Sequence, residues 1–101
     1  MSKRITLIHA LSGSIEPIEQ AFADIWPQAR ACNLLDDSLS VDRANDGRLT
    51  DAMVQRFDDL TQYAVGTGSD GILFTCSAFH AAIDNARAKV SIPVLKQISY
   101  R

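Results

Sequence analysis

Apolar runs of strand length alternate with apolar stripes of helical spacing along this chain, and that alternation restricts what it can fold into. Arg4 to Ala10 (RITLIHA) reads as a short strand entering a Leu-Ser-Gly-Ser turn, after which Ile15, Ile18, Phe22 and Ile25 recur at helical spacing. Ser14 is the expected N-cap of this helix, Pro17 is tolerable in its first turn, and Pro27 should end it by Trp26. Ala29 to Leu35 (ARACNLL) reads as a second, weaker strand, and the Asp-, Ser- and Asn-rich stretch from Asp36 to Gly47 as a long loop. From Leu49, the residues Met53, Phe57, Leu60 and Ala64 form one stripe of a longer helix that ends near the glycines of VGTGSDG. The strand Gly71 to Thr75, a helix from Ala78 to Val90 and a last strand from Ile92 (IPVLK) complete the order.

Strands alternating with helices in this way predict a parallel sheet with right-handed crossovers and helices on both faces. The expected fold is a flavodoxin-like three-layer α/β lobe with a four-stranded sheet in the order 2-1-3-4. With 101 residues, the whole of 1–101 should be one such domain. A net charge of −2 with scattered signs gives no basic face for nucleic acid. No apolar stretch approaches the ~20 residues that span a bilayer, and the N-terminal apolar run is too short for a signal peptide, so no membrane partner and a cytoplasmic location are expected. Cys32 and Cys76 lack metal-ligand spacing and fit a reduced compartment, with Cys32 as strand core. Asp36, Asp37, Asp42 and Asp46 lack the spacing of a calcium loop, and GTGSDG (Gly66 to Gly71) precedes a strand and lacks the Lys-Ser/Thr ending of a phosphate loop. Neither a metal nor a cofactor is expected.

In sheets of this kind ligands bind beyond the carboxyl ends of the strands where the strand order reverses, here between strands one and three. The loop after strand one carries His9, Ser12, Gly13 and Ser14, and the loop after strand three carries Thr75, Cys76 and Ser77. Cys76 stands where an apolar strand stops and a helical pattern begins. The first turn of a helix offers unpaired N–H groups and a positive dipole end, which would stabilise a thiolate and bind an anion. The competing reading of Cys76 is an inert small hydrophobe at the end of a buried strand. His9 could assist the thiol, but in the apolar run ITLIHAL a hydrogen-bonded core histidine is the favoured reading. His80 reads as a surface or lining residue.

The segment GSDGILFTCSAFHAAIDNARAKVSIPVLK, Gly68 to Lys96, resembles the cofactor-independent aspartate/glutamate racemase superfamily, which includes hydantoin racemases, arylmalonate decarboxylases and maleate isomerases. The features carrying the likeness are the Ser-Asp-Gly turn before an apolar strand, Cys followed by a small hydroxyl residue, a helix, and Ile-Pro-Val at the next strand. The strand ITLIHAL with its Ser-Gly turn extends the likeness over most of the chain. The resemblance implies an N-terminal lobe in which Cys76 removes or returns the proton on the carbon α to a carboxylate. Ser12, Gly13, Thr75, Ser77 and the Ala78 backbone N–H would hold that carboxylate. Such chemistry needs an acid or base in contact with a weak carbon acid and preorganised donors for the developing charge.

Members of that superfamily pair two lobes, each supplying one cysteine. This chain ends at KQISYR without a second cysteine in a matching turn, so a second lobe or a homodimer is the expected partner, alongside a small carboxylate substrate. Two alternatives remain: a non-catalytic domain that binds a small anion or assembles with another chain, and a thiol hydrolase using Cys76 and His9.

Overall fold

The computed structural model describes residues 2–76 and 78–96. Strands β1 (Arg4–His9), β2 (Arg30–Leu35), β3 (Gly71–Phe74) and β4 (Val94–Lys96) form one sheet in the order β2-β1-β3-β4, with every pairing parallel. Helices α1 (Ile15–Ile25), α2 (Ser38–Asp46), α3 (Asp51–Gly66) and α4 (His80–Arg87) make the connections, and a 3-10 turn (Ser12–Ser14) leads into α1. This is the expected α/β architecture with the expected strand order. No helix among the described residues is long and apolar enough to cross a membrane.

Strand alternation divides the sheet into two unlike faces. Thr6 pairs with Ile72 and Ile8 with Phe74, so these residues share a face, and Ile8, Ile72, Phe74 and Val94 join Leu39, Phe57, Ala64, Phe79 and Ile83 in the main core. Phe57 is its centre, fully buried, with its ring centroid 4.9 Å from Phe79 and 5.6 Å from Phe74. The intervening residues Ile5, Leu7 and His9 lie on the face toward α1. That face is only partly covered: a groove of about 560 Å³ is lined by Ile5, Phe22, Trp26, Gly71, Pro93 and Leu95, among others, and Leu95 is 60% exposed.

The local structure corrects the sequence reading at three points. The stretch expected to be a loop after β2 contains α2. Leu39 is fully buried there, and Asp36 Oδ1 accepts from the Ser38 N–H at 3.1 Å and hydroxyl at 2.6 Å. Gly47, at φ +71°, closes the helix in the left-handed conformation. The Asp- and Ser-rich composition that suggests a loop is thus partly helix-start chemistry. Burial alone would raise the Asp36 carboxyl, but hydrogen bonds from Ser38 and Arg56 outweigh it and hold Asp36 below its ordinary value. Arg56 on α3 also reaches Asp42 at 2.8 Å, tying α2 to α3.

Ser14 makes no side-chain cap bond to α1, whereas Thr50 caps α3 by accepting from the Met53 N–H at 3.2 Å. Finally, α4 begins at His80 instead of Ala78, because the Phe79 side chain is drawn into the core beside Phe57. The GTGSDG segment is a connection, as expected. Gly68 takes φ +86°, the Ser69 hydroxyl pairs with Thr6, and Asp70 Oδ2 accepts from the Arg4 N–H at 2.8 Å.

Candidate functional site

The carboxyl ends of β1, β2 and β3 are laced together by backbone bonds beyond the strands themselves. Thr75 N–H donates to Ile8 C=O at 3.0 Å, and Asp36 N–H to His9 C=O at 3.0 Å. The loop after β1 and the segment after β3 therefore meet at the switch in strand order.

Beside this edge lies a cleft of about 500 Å³ lined by Leu11, Gly13, Ser14, Pro17, Ile18, Ala21 and Thr75. Of the residues singled out from the sequence, Gly13, Ser14 and Thr75 line it. Ser12 is exposed in the 3-10 turn but does not line the cleft. Ala78 is exposed between β3 and α4, and Ser77 lies outside the described residues. His80 is the exposed first residue of α4.

Cys76 takes the opposite side. The side-chain parity of β3 continues through its last residues, so that Thr75 meets the cleft while Cys76, 7% exposed, packs in the main core. Its Sγ lies 3.8 Å from the Ile8 carbonyl oxygen, to which the S–H donates. Burial pushes the Cys76 thiol up from its ordinary 9.0 to about 11, although backbone hydrogen bonds at Cys76 and Ala10 oppose the shift. This corrects the expectation of a thiolate stabilised at a helix start: α4 begins four residues later, and desolvation decides the protonation state. The resting residue is a thiol.

His9 is fully buried and hydrogen-bonded at both ring nitrogens, Nδ1 to Thr75 Oγ1 at 2.7 Å and Nε2 to Asn33 Oδ1 at 2.8 Å. Both ring nitrogens are thus taken by Thr75 and Asn33, and neither is bonded to Cys76. Asn33 on β2 in turn donates from Nδ2 to Glu19 Oε2 on α1 at 2.8 Å. Sequence reading overlooked Asn33 and Glu19. The one signal for the former was an amide inside the otherwise apolar ACNLL. Cys32 is half-buried on the edge strand β2. Among the described residues, no group of three His, Cys, Asp or Glu side chains is arranged to hold a metal ion.

The raised Cys76 value has two measurable consequences. At pH 8 alkylation should modify Cys32 first, with Cys76 at least about a hundredfold slower than an unburied thiol, because its thiolate fraction is that much smaller. In the folded state the neutral form is favoured, so the stability linked to this group is complete below pH 9.0 and is lost as pH rises toward about 11. The loss is on the order of 2–3 kcal/mol. Urea titrations of the wild type and Cys76→Ala across that range should show this decline only in the wild type. Parallel curves, or Cys76 reacting before Cys32, would refute a buried neutral thiol.

Compared with known proteins, the chain matches no family model and none of the curated sequences.

Proposed function

We propose that this chain is a lobe of a cofactor-independent proton-transfer enzyme of the racemase and isomerase kind. It would act at the carbon next to the carboxylate of a small amino acid or related acid. The observation that supports this reading is the meeting of the loops after β1 and β3 around one cleft, lined by Gly13, Ser14 and Thr75, at the carboxyl edge where the strand order reverses. The cleft suits a small ligand, and Ser14, a hydroxyl residue, is among those that line it.

Cys76 follows Thr75 with its thiol turned into the core, so its part in the reaction requires the Sγ to swing from the Ile8 carbonyl toward the cleft, where as a thiol it would serve the acid half. A new C–H bond forms on the carbanion as the S–H bond breaks, leaving the negative charge on sulfur. The base that removes the first proton from the other face would come from a second lobe or a second copy. A cytoplasmic setting belongs to the same reading, since both cysteines are free.

The direct test is exchange of the Cα proton of glutamate or aspartate for deuterium in heavy water at neutral pH, followed by proton NMR with the chain present. Progressive loss of the Cα resonance is the expected result. Absence of both exchange and amide shifts at Gly13, Ser14 and Thr75 with every small carboxylate tried would reject the reading.

One observation favours a second role, assembly with another chain. The groove beside α1 leaves Leu95 and Trp26 exposed by 60% and 40%, and Ile25, next to Trp26 on α1, is 83% exposed. Apolar surface of this kind commonly marks an interface. Sedimentation equilibrium should therefore show concentration-dependent association that Leu95→Asp weakens, and a monomer at all concentrations would exclude self-association.

A further inference from the structure

A chain of hydrogen bonds that proton transfer by Cys76 does not use runs along the carboxyl edge of the sheet, buried at Thr75 and His9 and exposed at Asn33 and Glu19. It passes from Thr75 Oγ1 to His9 Nδ1 (2.7 Å), from His9 Nε2 to Asn33 Oδ1 (2.8 Å), and from Asn33 Nδ2 to Glu19 Oε2 (2.8 Å). Its polarity follows from its outer end. A carboxylate only accepts, so the NH2 group of Asn33 faces Glu19 and the amide oxygen faces His9. That oxygen also only accepts, so Nε2 carries the ring proton. In a neutral imidazole Nδ1 is then an acceptor, and the Thr75 hydroxyl donates to it.

The opposite polarity is worse at two contacts. It would turn Asn33 over and set its amide oxygen against the Glu19 carboxylate at 2.8 Å, two acceptors in contact. It would also move the Thr75 proton from a 2.7 Å bond to the Ile8 carbonyl oxygen at 3.4 Å.

With its single proton committed to His9, Thr75 Oγ1 has only lone pairs for the cleft that the residue lines. We propose that Thr75 is a specificity-determining residue of this cleft, selecting ligands that carry an N–H or O–H donor beside the carboxylate, with His9, Asn33 and Glu19 as the positioning residues that fix its polarity. This inference rests on the reading of the cleft as a small-carboxylate site and narrows it. An amino acid or a 2-hydroxy acid meets an acceptor at Thr75, whereas the corresponding unsubstituted acid offers that acceptor no donor.

The test is titration of the full chain with glutamate, 2-hydroxyglutarate and glutarate, followed by amide NMR. The last two carry the same charge and differ only in the hydroxyl. Both donor-bearing ligands should bind roughly ten- to a hundredfold more tightly than glutarate. Thr75→Val should bring the ratio close to one, and Thr75→Ser should keep it. Nitrogen NMR of the imidazole provides a ligand-free readout, which should show a protonated Nε2 and an unprotonated Nδ1 on His9. Equal binding of 2-hydroxyglutarate and glutarate, an unchanged ratio in Thr75→Val, or a proton on Nδ1 would overturn the assignment while leaving the carboxylate site standing. Failure of all three ligands to bind would remove both. Should Thr75→Val not fold, the wild-type ratio, Thr75→Ser and the imidazole signals still decide.

Discussion

Phe57→Ala should lower the free energy of unfolding by about 3–5 kcal/mol, the range for removing a large aromatic side chain from a core that cannot collapse onto the gap. Three elements meet at this ring. Phe57 projects from α3, Phe74 ends β3 and Phe79 precedes α4, with centroid separations of 5.6 and 4.9 Å. The neighbours are held by the sheet ladder and by the α3–α4 packing, so a cavity would persist. Small domains have a net stability of only about 5–15 kcal/mol, so the loss would leave the variant substantially unfolded under mild denaturant. Urea unfolding followed by circular dichroism measures it. The exposed Val41→Ala serves as a contrast and should change stability by no more than about 0.5 kcal/mol. A Phe57→Ala loss below about 1 kcal/mol would contradict the central place given to this ring.

The second large effect concerns chemistry. If Cys76 returns the proton, Cys76→Ser should reduce Cα deuterium exchange by roughly 10²–10⁴-fold, the usual contribution of a positioned acid or base. The substitution is nearly isosteric and keeps a hydrogen-bond donor for the Ile8 carbonyl, so the fold should survive, which circular dichroism can confirm. Cys32→Ser, on the edge strand, should leave exchange unchanged. Exchange that persists in Cys76→Ser would assign the proton transfer elsewhere and leave Cys76 as a core residue. If exchange is lost but carboxylate binding is retained, the thiol is separated from the cleft that holds the ligand.

Particular elements illustrate what could be read from the sequence. The strands RITLIH, RACNLL, GILF and VLK were legible because short apolar runs flanked by turn residues carry their own signal. The order β2-β1-β3-β4 is that of the flavodoxin-like lobe which alternating strands and helices suggest. Helix α2 was not legible: its one buried anchor, Leu39, sits among Asp, Ser and Asn residues that favour turns and helix starts equally.

The site divided along a different line. That the loops after β1 and β3 share an edge was legible from the alternation of strands and helices, because periodicity is a property of neighbouring residues. Long-range packing set the rest: Thr75 faces the cleft while Cys76 enters the core as a neutral thiol, and His9, Asn33 and Glu19 join in one chain of hydrogen bonds. Those outcomes depend on strand parity at the end of β3, on the register between β1 and β2, and on the desolvation supplied by helices distant in sequence. None of these is encoded within a single window of residues.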